Sequence, residues 1–254
     1  MPTGTTTSHR TARPTPPPKA KGKPLAQEPS SVETRCADAV RELERRATRA
    51  TLEGMSRYAI PSDHALGVAM KDIQSLAKQL GHDHALAAAL WDTGIYEART
   101  LAAYVADPAR VTAAQMDRWC RDLDNWAICD TVCFVLFDRA PKAFAKVESW
   151  AGKRDEIQKR AAFALLASIA LHGRAERESD YLRGLALIER EAADERNFVR
   201  KGMSWALRSI GRRGACRKQA IALAERLAAS DIATERWLGK DALRDLRKLS
   251  AKTK

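Results

Sequence analysis

The chain lacks any long apolar run. None of its 254 residues fall in a stretch of about 18 successive apolar side chains, which is what a membrane-spanning helix requires. The N-terminus also lacks the apolar core of a secretory signal. Cysteine is sparse and irregular: Cys36, Cys120, Cys129, Cys133 and Cys216 are odd in number and do not read as a disulfide framework, so a reducing compartment is the simpler inference. There is no CxxC. Cys129 and Cys133 share a helix face at i, i+4 but have no matching histidine pair, so buried apolar thiols are expected rather than a metal site. His9, His64, His82, His84 and His172 form no metal motif, and His82 and His84 are expected in a loop. No Walker loop, GxGxxG or GxSxG is present, so neither a metal nor a cofactor is expected. No stretch alternates with period two, which argues against strands.

What the chain has is positive charge and helical pattern. Lys and Arg number 44 against 32 Asp and Glu, a formal net charge of +12. That balance points to a polyanionic partner, most often nucleic acid, although it also serves colloidal stability. Residues 1–31 read as a disordered tail: seven of the ten prolines lie there, and Arg10, Arg13, Lys19, Lys21 and Lys23 are uninterrupted by acid up to Pro24. Such a tail is either a basic arm on phosphates or a solvated segment that does little.

Residues 32–254 read as helix after helix. The expected spans are 34–58, 61–80, 96–106, a helix opened by the capping-box spacing of Thr112 and Gln115, then 125–138, 141–150, 155–172, 179–193, 196–211, 214–229 and 231–249. Within them one pattern recurs. Gln158-Lys159-Arg160-Ala161-Ala162-Phe163 aligns with Val199-Arg200-Lys201-Gly202-Met203-Ser204 and with the segment around Lys240. The slot before each apolar run holds Arg160, Lys201 and Lys240, at intervals of 41 and 39 residues; 30 residues before Arg160 it holds Asp130. A period of this size marks stacked helical pairs, so the expected fold is all-α, a right-handed solenoid of HEAT-like repeats with a concave basic groove. Equivalent slots line one continuous surface, here cationic with one carboxylate set into it.

Trp126 and Asp130 share a helix face at i, i+4, as do Lys201 and Trp205. Two indoles, a carboxylate and the Arg160 guanidinium are therefore expected to line one cleft. The alternatives are indoles spent in the core and an Asp130–Arg160 bridge between repeats. As a site, the set fits a cationic nucleobase. Indole faces attract cations, and a carboxylate beside the sugar carbon would stabilise the positive charge that builds there as a glycosidic bond breaks. Arg160, Lys201 and Lys240 would neutralise phosphates, with Arg200 and Arg208 nearby.

From about Met55 to Leu249 the chain resembles the bacterial DNA alkylation repair glycosylases of the AlkD-like HEAT-repeat family. The resemblance is carried by Leu90-Trp91-Asp92 with Tyr96-Glu97-Ala98-Arg99, by Asn125-Trp126-Ala127-Ile128-Cys129-Asp130, by Gln158-Lys159-Arg160-Ala161-Ala162, and by Lys201-Gly202-Met203-Ser204-Trp205-Ala206-Leu207-Arg208. It implies a monofunctional glycosylase, without metal or lyase chemistry, that excises cationic N3- and N7-alkylpurines from double-stranded DNA as a monomer in the bacterial cytoplasm, at the nucleoid. It maps the catalytic carboxylate to Asp130, the aromatic lesion contacts to Trp126 and Trp205, and the site arginine to Arg160. Where the family often has Trp-Asp this chain has Trp126-Ala127, which leaves Asp130 the single acid of that turn. The remaining readings are a non-catalytic module that binds damaged or branched DNA, and a protein-interaction scaffold.

Overall fold

A computed structural model describes residues 1, 3–4, 31–175 and 177–251. The expected basic tail lies almost wholly outside the described residues. Thirteen α-helices and no strand occur among those described: α1 (Val32–Arg46), α2 (Arg49–Met55), α3 (Met70–Leu80), α4 (His84–Asp92), α5 (Tyr96–Val105), α6 (Ala113–Arg121), α7 (Trp126–Val135), α8 (Ala143–Trp150), α9 (Glu156–His172), α10 (Glu178–Glu191), α11 (Asn197–Gly211), α12 (Arg217–Ala228) and α13 (Ala233–Ala251).

Short polar side chains start many of these helices by accepting an otherwise orphaned backbone N–H. Ser31, Thr48, Asp83, Thr112 and Asp155 each cap the amide three residues on, and Asn125 takes both Ala127 N and Ile128 N. The spacing of Thr112 and Gln115 closes only half of a capping box, because the Gln115 side chain meets the His84 imidazole at 3.0 Å instead.

Consecutive helices pair and the pairs stack. The row α3, α5, α7, α9, α11, α13 runs through the molecule with each helix against the next, while α8, α10 and α12 form a second row against it and α4 packs on α5 and α1. Helix α9 is central: Lys159 to Ala170 are all buried, because α7, α8 and α11 close around it. Gly202 of α11 faces Phe163 and Arg160 of α9, where a Cβ would make ordinary contacts of 3.4 and 3.6 Å. The five cysteines are buried and unpaired. Cys129 and Cys133 pack their thiols toward the Ile157 and Ala161 carbonyls of α9, so their shared face is a packing surface.

The structure corrects three expectations at the N-terminal end. The span 34–58 is two helices, because Ala47 is extended and Thr48 caps α2. No helix begins at Pro61. Residues 59–69 are non-helical, and the buried Glu97 carboxylate fixes them by accepting Leu66 N, Gly67 N and Val68 N at 2.7–3.1 Å. Gly67 (φ +88°) is required there, since a Cβ would stand 2.6 Å from Thr48 O. Finally, His84 is not in a loop but opens α4, a helix too evenly apolar to show a face.

Candidate DNA-facing site

The repeat register places Asp130 on α7, Arg160 on α9, Lys201 on α11 and Lys240 on α13, all in the same row of helices. Arg160 is the hub. Its Nε donates to Asp130 Oδ1 at 2.8 Å, its Nη2 to Asp130 Oδ2 at 2.6 Å, and its Nη1 to the Phe198 carbonyl at 2.7 Å. The guanidinium also lies 5.9 Å from the Trp126 ring and 6.0 Å from the Phe198 ring. Only 8% of its side chain is exposed, against 20% for Asp130. Arg160 is therefore a wall of the site and not the free phosphate ligand expected from its slot.

Burial pushes the Asp130 carboxyl above its ordinary value against the opposing pull of Arg160. Burial also disfavours the Arg160 charge, but Asp130 outweighs it and the guanidinium is held more firmly protonated than usual. An ionised carboxylate has about four lone-pair directions, and the two Arg160 bonds use one on each oxygen. Acceptor capacity therefore remains toward the cleft.

The two indoles do not share one cavity. An open cleft of ≈ 440 Å³ is lined by Asp130, Trp205, Ser204, Arg208, Trp237 and Asp241, with Arg160 and Lys201 on its border. A second of ≈ 460 Å³ holds Trp126, Tyr58, Ala59 and Phe198, and again Arg160 and Lys201. These two cations are the divide between adjoining clefts. Trp126 is half-buried and its Nε1 donates to Tyr58 O at 2.8 Å, which ties the segment after α2 onto α7. Ala59 in that segment has φ 53°, a left-handed conformation that costs an alanine about 1 kcal/mol. Trp205 is half-buried and stacks with the exposed Phe134 at 6.4 Å, with 23° between the planes.

Lys201 and Lys240 are exposed and form no ion pair among the described residues. Arg208 is anchored by Nε on Ser204 O at 3.2 Å. Arg200 stacks over the Trp237 ring, its Cζ 4.6 Å from the centroid. Sequence reasoning missed Trp237 and Asp241. Trp237 stands three residues before Lys240 and so shares its helix face, which was the available signal. Asp241 accepts from Ser204 Oγ at 2.5 Å and from Arg244.

Residues 39–246 match the family described as DNA alkylation repair enzyme, and the chain belongs to it. Comparison with curated proteins finds no match. Among solved structures, the chain is similar to one described as "A new family of proteins related to the HEAT-like repeat DNA glycosylases with affinity for branched DNA structures". The identity is 18%, the TM-score 0.68, and the match covers 82% of this chain and 94% of that one. The fold is thus the expected all-α HEAT-like solenoid.

Proposed function

We propose that the protein is a monofunctional DNA glycosylase that removes cationic N3- and N7-alkylated purines, such as 3-methyladenine and 7-methylguanine, from double-stranded DNA. The observation that carries this reading is a partly exposed carboxylate, Asp130, locked in orientation by Arg160 and opening into a cleft beside the Trp205 indole.

An alkylated purine already carries a positive charge, so its departure needs no metal and no proton donor. As the bond from the base to C1′ breaks, the electron pair leaves with the base and neutralises it. Positive charge builds on the sugar, water adds at C1′ and a proton is released. Asp130 stabilises the charged sugar and orients the water. An indole face favours the cationic base over its neutral parent, by about 2 kcal/mol or more where water is excluded. The cost of a carboxylate near phosphates is on the order of 1 kcal/mol at an exposed site. Lys201, Lys240 and Arg208 offset it by neutralising phosphates. The clefts are open, which suits lesions labile enough to be released without full enclosure of an extruded base. The protein acts as a monomer in the bacterial cytoplasm, at the nucleoid.

A second reading is favoured by the same ion pair. If Asp130 serves only as Arg160's structural partner, the groove binds DNA without excision, and branched DNA, the ligand named for the similar structure, becomes the better substrate. The deciding experiment measures free base released from duplex containing 7-methylguanine by the native protein and by Asp130→Asn. Release that is lost in the variant while DNA affinity is kept supports the glycosylase. Tight DNA binding with no release from either protein overturns it in favour of the second reading.

A further inference from the structure

Arg200 and Trp237 are not accounted for by the chemistry at Asp130. Arg200 stands on α11 next to Lys201, and Trp237 on α13 lines the Asp130 cleft. The guanidinium lies over the indole with Cζ 4.6 Å from the ring centroid. No carboxylate pairs with it among the described residues, and the first turn of α11 contains no acid. Its hydrogen bond to Asn197 Oδ1 is long, at 3.4 Å, and its Nε is buried with no partner. By contrast Arg196, four residues earlier, is held by both oxygens of Asp194. An arginine held by a ring and not by an acid keeps its terminal Nη groups for a further acceptor, here with Nε enclosed and only the long Asn197 bond on one of them. A guanidinium already flat and partly desolvated loses less entropy when it takes two oxygens of one phosphate.

We infer that Trp237 is a positioning residue that holds the Arg200 guanidinium as a clamp for one DNA backbone phosphate at the α11–α13 side of the cleft. The inference rests on the DNA-binding reading above. Trp237 acts through Arg200: it brings no charge, yet removing its ring costs the protein one phosphate contact. Because Trp237 also borders the Asp130 cleft, the clamp fixes the backbone close to the position where the altered base is presented.

The test is the salt dependence of binding of the full chain to undamaged duplex, from about 50 to about 200 mM salt. Arg200→Gln is expected to lower the slope of log K against log salt by about 0.9, so that it loses about threefold less affinity than the native protein across that range. Trp237→Leu keeps apolar volume and changes no charge, yet it is expected to lower the slope by the same amount. Trp237→Phe retains the native slope, and the Arg200→Gln/Trp237→Leu double variant falls no further than either single one. Thermal melts identify folded variants, and Trp237→Met replaces the leucine variant if that one is unfolded. A native slope in both the leucine and methionine variants beside a reduced one in Arg200→Gln overturns the role of the ring, and a native slope in Arg200→Gln overturns the clamp. If the native protein shows no salt-sensitive binding at all, the DNA reading itself fails.

Discussion

Arg160 grips both oxygens of Asp130 from the neighbouring helix, at 2.8 and 2.6 Å, and gives its third bond to the Phe198 carbonyl of the helix after that. One side chain thus spans three successive inner helices. The contact is both a structural tie and the device that aims the carboxylate. A site built this way has its geometry set by the stacking of repeats and not by a loop.

Breaking that pair from one side is expected to cost more than removing it altogether. Arg160→Met leaves Asp130 charged and largely enclosed, a loss of about 3 kcal/mol of stability. Asp130→Asn keeps one acceptor for the guanidinium and costs less. The double variant should then lose clearly less than the sum of the two, which urea denaturation of all four proteins measures. Strict additivity would sink the coupling.

On the proposed mechanism the same pair is expected to set the acid limb of base release. That mechanism requires Asp130 ionised, and burial holds its pKa above the ordinary value of 3.8 while Arg160 pulls it down. Release therefore falls as pH drops through that raised value. In Arg160→Gln the downward pull is gone, so the limb moves to higher pH. Rate profiles of 7-methylguanine release, with native protein and variant compared over the acid range, check this. An unmoved limb would mean that a group other than Asp130 titrates.

Lys201 and Lys240 should report on phosphates alone. Both are exposed and without an ion pair among the described residues. Each alanine substitution is expected to lower the salt slope of DNA binding by about 0.9, with melting temperature nearly unchanged. Asp130→Asn should leave the slope in place. A Lys240 variant with the native slope would put that lysine beyond the DNA footprint.

The register of the inner row was legible because the 3.6-residue period and the slot before each apolar run survive in α7, α9, α11 and α13. What escaped depends on contacts distant in sequence. Residues 59–69 carry a helix-start signal at Pro61-Ser62-Asp63, but Glu97, some 30 residues away, takes three of their amides and fixes another course. Arg160 reads as one of three equivalent cations. The alternative reading, an Asp130–Arg160 bridge between repeats, is the contact that forms; the Phe198 carbonyl that completes the burial of Arg160 is encoded by no local pattern. Helix α4 escaped for the opposite reason: His84-Ala85-Leu86-Ala87-Ala88-Ala89-Leu90-Trp91 is apolar on most sides, so no period stands out.

The turn between α10 and α11 makes the acid stability of the fold testable. Asp194 accepts from Arg196 through the backbone N at 3.1 Å, Nε at 2.9 Å and Nη2 at 2.5 Å, and from buried Lys159 of α9 at 2.8 Å. The Arg196 side chain is the largest influence; it and Lys159 outweigh burial and hold the carboxyl well below the ordinary 3.8. A depressed folded pKa means that the folded state binds this proton less readily than the unfolded chain does. The contribution is fully present above the unfolded value and is lost as pH falls toward the folded one. Stability from urea denaturation should thus decline between about pH 5 and pH 2 in the native protein. Asp194→Asn is expected to be less stable at neutral pH and to decline less steeply in acid, because it carries no proton to gain. Part of the slope should remain, since Glu191 is also depressed: Lys159 and Arg190 outweigh the burial that opposes them. If the asparagine variant declines as steeply as the native protein, the acid sensitivity lies elsewhere and the Asp194 tie does not govern how α9, α10 and α11 hold together.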